Sequence, residues 1–72
     1  MDPKEQIVAK VRQIDDLNRE IAEHWSMIQK YATDSRVDEA ISLLNAYFRL
    51  KAKLEQTEAS LETALKSQFA GQ

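Results

Sequence analysis

The sequence predicts an all-α protein: an antiparallel two-helix hairpin of coiled-coil type, a single domain of 72 residues that associates into a helical bundle. Three observations support this. Ile7, Ile14, Ile21 and Ile28 stand seven residues apart, the spacing that returns a side chain to one line on a slightly underwound helix. The chain holds one glycine and one proline, and Ala, Leu, Glu, Lys, Gln and Ser dominate it, which is the composition of long helices. The periodic pattern breaks at Thr33-Asp34-Ser35 and restarts in a different phase.

The first helix is expected over 3–32. Asp2 can accept at the N-cap, Pro3 suits the first helical position with its fixed φ, and Glu5 completes a capping-box-like Asp-x-x-Glu. With isoleucine at every d position, Val11, Asn18, Trp25 and Ala32 fall at a and complete the seam. Asn18 is then the polar residue between Ile14 and Ile21, of the kind that specifies register and oligomer number by pairing with a polar partner. A loose bundle would instead let it reach solvent. Asp15 and Arg19 form a favourably oriented i,i+4 pair.

The turn is expected at 33–36, because Thr33, Asp34 and Ser35 can each bond their own backbone instead of a helix. Ser35, followed by Asp38 and Glu39, reads as a second N-terminus with acids where the helix dipole favours them. The second helix should cover 37–69 and end at Ala70-Gly71. Its seam runs Ala40, Leu43, Tyr47, Leu50, Leu54, Thr57, Leu61 and Ala64, in alternating steps of three and four. It is one residue out of phase with helix 1. Such a slip marks either a tight turn or a skip residue in one continuous helix; the capping signals at Ser35 favour the hairpin. A second stripe, Val37, Ile41, Leu44 and Phe48, flanks the seam and broadens the apolar arc towards the turn. In a hairpin Trp25, Tyr31, Tyr47 and Phe48 gather at the same end.

These features bound the function. The net charge of −2 and pI near 5.3 offer no electrostatic reason to bind nucleic acid, and the patch Arg49, Lys51, Lys53 is followed at once by Glu55, Glu58 and Glu62. Lys51–Glu55 and Glu62–Lys66 pairs on a solvated face account for those charges. No run is apolar enough to cross a bilayer, and Met-Asp-Pro-Lys-Glu lacks the core of a secretory signal, so a cytoplasmic protein that does not bind membranes is expected. No cofactor or metal is expected either. There is no cysteine, and His24 follows Glu20 as Glu-x-x-x-His once, whereas a di-iron bundle needs Glu-x-x-His in duplicate. A packing histidine beside Trp25 is the simpler account. With no nucleophile–base geometry and no glycine-rich loop, the chain is not expected to be an enzyme.

A chain this short builds a marginal core, and without disulfides the remaining remedy is association. The expected function is therefore a non-catalytic protein–protein assembly module, packing with itself as a homodimer or with a helical partner in a heterocomplex. Trp25, Val37, Ile41, Leu44, Tyr47 and Phe48 are the candidate interface residues. The alternative is a small chaperone or accessory subunit that stabilises a different protein. Two resemblances point that way. Val37-Asp38-Glu39-Ala40-Ile41, with Lys53-Leu54-Glu55-Gln56-Thr57-Glu58, is similar to the second helix of the small subunit of exonuclease VII, a short acidic helical protein supporting a nuclease. The two segments stand closer together here and helix 1 is longer, so the chain is not assigned to that family. In size and plan, a cysteine-free hairpin with a broad apolar stripe near its turn, it also resembles the small co-chaperones of type III secretion needle subunits. Both resemblances imply a non-catalytic stabilising subunit.

Overall fold

The computed structural model describes residues 2–70, with backbone alone for Phe69 and Ala70. Two helices, α1 (Pro3–Thr33) and α2 (Val37–Ala70), fold back on each other in a hairpin with extents of 56 × 15 × 14 Å. The chain is an all-α helical hairpin. The expected stop at Gly71 lies outside the described residues. Asp2 caps α1 from an extended backbone (φ −62°, ψ 129°), its Oδ1 accepting from the Lys4 N–H at 3.0 Å with Pro3 opening the first turn.

The chain reverses by a device that differs from the expected one. Ser35 does not cap α2. It takes a left-handed conformation, φ 61°, just past the C-cap Asp34. Its N–H donates to the Ala32 carbonyl at 3.2 Å, and the Arg36 N–H donates to the Tyr31 carbonyl at 2.8 Å. This is the Schellman arrangement, which satisfies two carbonyls left over at a helix end, here with serine where glycine is usual. The contact that normally accompanies it is made by Arg36, whose guanidinium lies 4.9 Å from the Tyr31 ring centre. Arg36 also bonds Glu39 at 2.7 Å, and its carbonyl accepts from the Ala40 N–H, so Arg36 serves as the entry residue of α2. The helix is thus broken at Asp34 and Ser35, which excludes a continuous helix with a skip residue.

This turn also fixes the rotation of α1. Tyr31 is held on the inner side by Arg36, and stepping back from it in fours and threes gives Ile28, His24, Ile21, Leu17, Ile14, Lys10 and Ile7. Those are the buried and half-buried positions of α1. The isoleucines lie in the seam, but their companions are Lys10, Leu17, His24 and Tyr31, not Val11, Asn18, Trp25 and Ala32. Asn18 is exposed, so it does not set the register of this helix pair. Asp15 and Arg19 do not pair; Arg19 instead approaches Asp16 at 3.9 Å, an exposed contact worth little. On α2 the observed seam is the expected one, from Ala40 to Ala64. Counted outward from the turn between Thr33 and Val37, in keeping with the Trp25–Tyr47 contact, an antiparallel register sets Ile28 about level with Leu43, Leu17 with Leu54 and Ile7 with Ala64. Leu17 (4 % exposed) and Ile28 (8 %) are the most enclosed side chains, and Thr57, also buried, donates its hydroxyl to the Lys53 carbonyl at 2.8 Å.

Candidate interaction face

The displaced α1 seam leaves a whole flank of the hairpin uncovered. Trp25 sits one residue beyond the seam residue His24, and its ring meets Tyr47 of α2 with centroids 5.6 Å apart. Lys51 Nζ stands 5.4 Å from the centre of the same Tyr47 ring, and Phe48 meets that ring edge-on at 5.9 Å. These contacts place the Trp25 flank of α1 and the Lys51 flank of α2 on one side. The heptad spacing extends that side along both helices. On α1 it carries Val8, Val11, Asp15, Asn18, Ala22 and Trp25; on α2 it carries Val37, Ile41, Leu44, Phe48, Lys51, Glu55, Glu58, Glu62 and Leu65. The steps again alternate threes and fours. Each helix therefore has a second seam, beside the one already buried.

Exposure separates this side from the rest. Among the described residues, seven of the eight large hydrophobic side chains that remain exposed lie on it, Met27 being the exception. Four of the seven are at the turn end: Trp25 (46 % exposed), Val37 (60 %), Ile41 (52 %) and Phe48 (57 %). Leu44 and Tyr47 are half-buried among them, Tyr47 within the inner seam. The structure thus brings five of the six candidate interface residues to one end of this side, with Tyr47 in the inner seam against Trp25 and Phe48. Sequence reasoning missed the other end of the same side, where Val8, Val11 and Leu65 are exposed. Val11 lies on this side and not in the inner seam expected of it; its spacing from Val8 and Trp25 is the signal for that. Between the two apolar ends lies a polar stretch of Asp15, Asn18, Lys51, Glu55, Glu58 and Glu62.

Chemistry elsewhere is sparse. His24 is half-buried in the inner seam and not merely beside it, with Nδ1–H donating to the Glu20 carbonyl at 2.9 Å. Lys51 lies over Tyr47 and forms no ion pair with Glu55, whereas Lys66 and Glu62 pair at 3.0 Å as expected. On the opposite side, Met27, Tyr31, Asp38, Glu39, Ser42 and Leu43 line a shallow open groove of about 360 Å³ with two carboxylates at its rim. Among the described residues no cluster of three metal-ligating side chains occurs, and no helix is long and apolar enough to cross a membrane. Comparisons with known protein families, with curated proteins and with solved structures give no match.

Proposed function

We propose that the chain is a non-catalytic assembly module whose open side packs against further helices, those of a second copy or of a helical partner protein, to complete a bundle. The observation that carries this reading is the second seam. Val37, Ile41, Leu44 and Phe48 repeat at steps of four, three and four beside a seam that is already filled. Such a stripe gains by burial only against another helix. Trp25 adds the aromatic type that anchors interfaces, held in place by Tyr47. The hairpin on its own buries few side chains fully, so association also supplies core that one copy lacks.

Sedimentation and light scattering on the purified chain test this. A dimer or higher assembly with one sharp unfolding transition, whose midpoint rises with protein concentration, is the expected result. A well-folded monomer at micromolar concentration overturns the reading.

A further inference from the structure

The two inner seams do not belong to one heptad frame. Carried past Tyr31, the α1 seam would next fall at Ser35, Asp38, Ser42 and Asn45, all of them exposed. The α2 seam instead uses Ala40, Leu43, Tyr47 and Leu50, each two residues early. On helices underwound to about 3.5 residues per turn, two residues correspond to a rotation of roughly 200°. On a straightened chain the two seams would therefore face nearly opposite sides. We infer that this offset is a conformational device. It holds each chain to its own hairpin by closing off a domain-swapped alternative, in which the turn straightens and two chains exchange helices.

Without the offset, the turn would be a weak barrier to such an exchange. Thr33-Asp34-Ser35-Arg36 contains no glycine or proline, so nothing in its covalent structure forbids a helix. Straightening would release Ser35 from φ 61° and replace the turn bonds at Ser35 and Arg36 with regular helical ones. An exchanged pair of antiparallel rods would keep the packing of Ile28 with Leu43 and of Leu17 with Leu54, now between chains. The offset removes that outcome. A second rod covering α1 at Ile28 would have to cross to the far side of the first to cover α2 at Leu43, within the few residues of the hinge. A stiff helix does not make that crossing. Each half of an opened chain would recruit a different neighbour, giving an open-ended polymer in place of a closed dimer. Only the hairpin satisfies both seams within one molecule, whatever covers the open side.

Two variants test this. Both carry a helix-favouring hinge, Thr33→Ala, Asp34→Ala and Ser35→Ala. The second also has two alanines inserted between positions 34 and 35, which bring the α2 seam into the frame of α1. X-ray scattering and sedimentation together read length and chain number. The in-phase variant should form a two-chain rod about 100 Å long, at ~1.5 Å per residue, against 56 Å for the hairpin. The out-of-phase variant should keep the hairpin's length, or polymerise as its concentration rises, without a two-chain rod. A two-chain rod from the out-of-phase variant overturns the inference, and so does an in-phase variant that stays hairpin-length. The unmodified chain gives a check that needs no substitution. Unfolded in urea and refolded at high concentration, it should yield no two-chain rod of that length; such a rod among the products overturns the inference. Association through the open side adds width to the particle, so a failure of the assembly reading leaves these lengths unchanged.

Discussion

The turn half and the open half of the hairpin are built on the same seam but filled differently. Near the turn the seam holds Ile21, His24, Ile28 and Tyr31 against Ala40, Leu43, Tyr47 and Leu50, and Trp25 and Phe48 extend it outward through the Tyr47 ring. Towards the open end it contains Lys10, the hydroxyl of buried Thr57, and Ala64 opposite Ile7. Aromatic rings extend the seam of the turn half; the seam of the open half is aliphatic, with Ile7, Ile14, Leu17, Leu54 and Leu61 interrupted by Lys10, Thr57 and Ala64. The lesson is that a continuous heptad pattern does not imply uniform stabilisation. The half with aromatics also offers a surface, while the other half rests on the aliphatic contacts of its inner seam.

Breaking the comparison at the enclosed point of the turn half gives the largest effect. Ile28→Ala, at 8 % exposure, should lower unfolding free energy by about 2–5 kcal/mol, and Ile7→Ala at the open end by clearly less. Urea titrations of the two variants decide it; equal losses would mean the halves are equivalent. Phe48→Ala should separate the two roles of the turn half. Its ring is mostly exposed in the hairpin, so helicity should persist while association weakens by about 2 kcal/mol in sedimentation. Leu61→Ala, an inner-seam change, should show the reverse balance. Sharpening the weak half comes next. Thr57→Val replaces a buried hydroxyl, bonded back to Lys53, with a methyl group and should raise stability by about 0.8 kcal/mol. The smallest change is at the turn: Ser35→Gly relieves a left-handed serine, partly offset by the freer unfolded chain, for a gain of about 0.5 kcal/mol. A loss there would show that the serine side chain contributes more than its backbone strain removes.

Much of this architecture was legible in the sequence. The two helices, the hairpin and the whole α2 seam followed from period and composition, because one arc of α2 is plainly richer in leucine. On α1 the isoleucine line was legible but its companion line was not. Both flanks carry apolar side chains, Leu17 and Tyr31 on one, Val11 and Trp25 on the other, and hydrophobicity alone favours the second. What decides between them is the rotation imposed by the turn, which depends on Ser35 adopting a backbone conformation that sequence propensity assigns to glycine or asparagine. The candidate interface residues at the turn end were found because they adjoin a legible seam. Val8 and Leu65 were missed because isolated surface aliphatics are ordinary, and only the register of the hairpin aligns them with Trp25.

The Schellman turn also has a kinetic consequence. It closes the chain over very few residues and is held by backbone bonds at Ser35 and Arg36 together with the Arg36–Tyr31 contact, all formed between near neighbours. The first layers to close above it, Tyr31 with Ala40 and Ile28 with Leu43, are close in sequence as well as in space. A fold zipped outward from such a point has low contact order and should form fast, with the loop-closure entropy already met at the first layer. Opening should run the other way. Backbone amides around Ile28 and Leu43 would then exchange with solvent only through global unfolding, while those near Ile7 and Leu61 exchange through local fraying of the untethered ends.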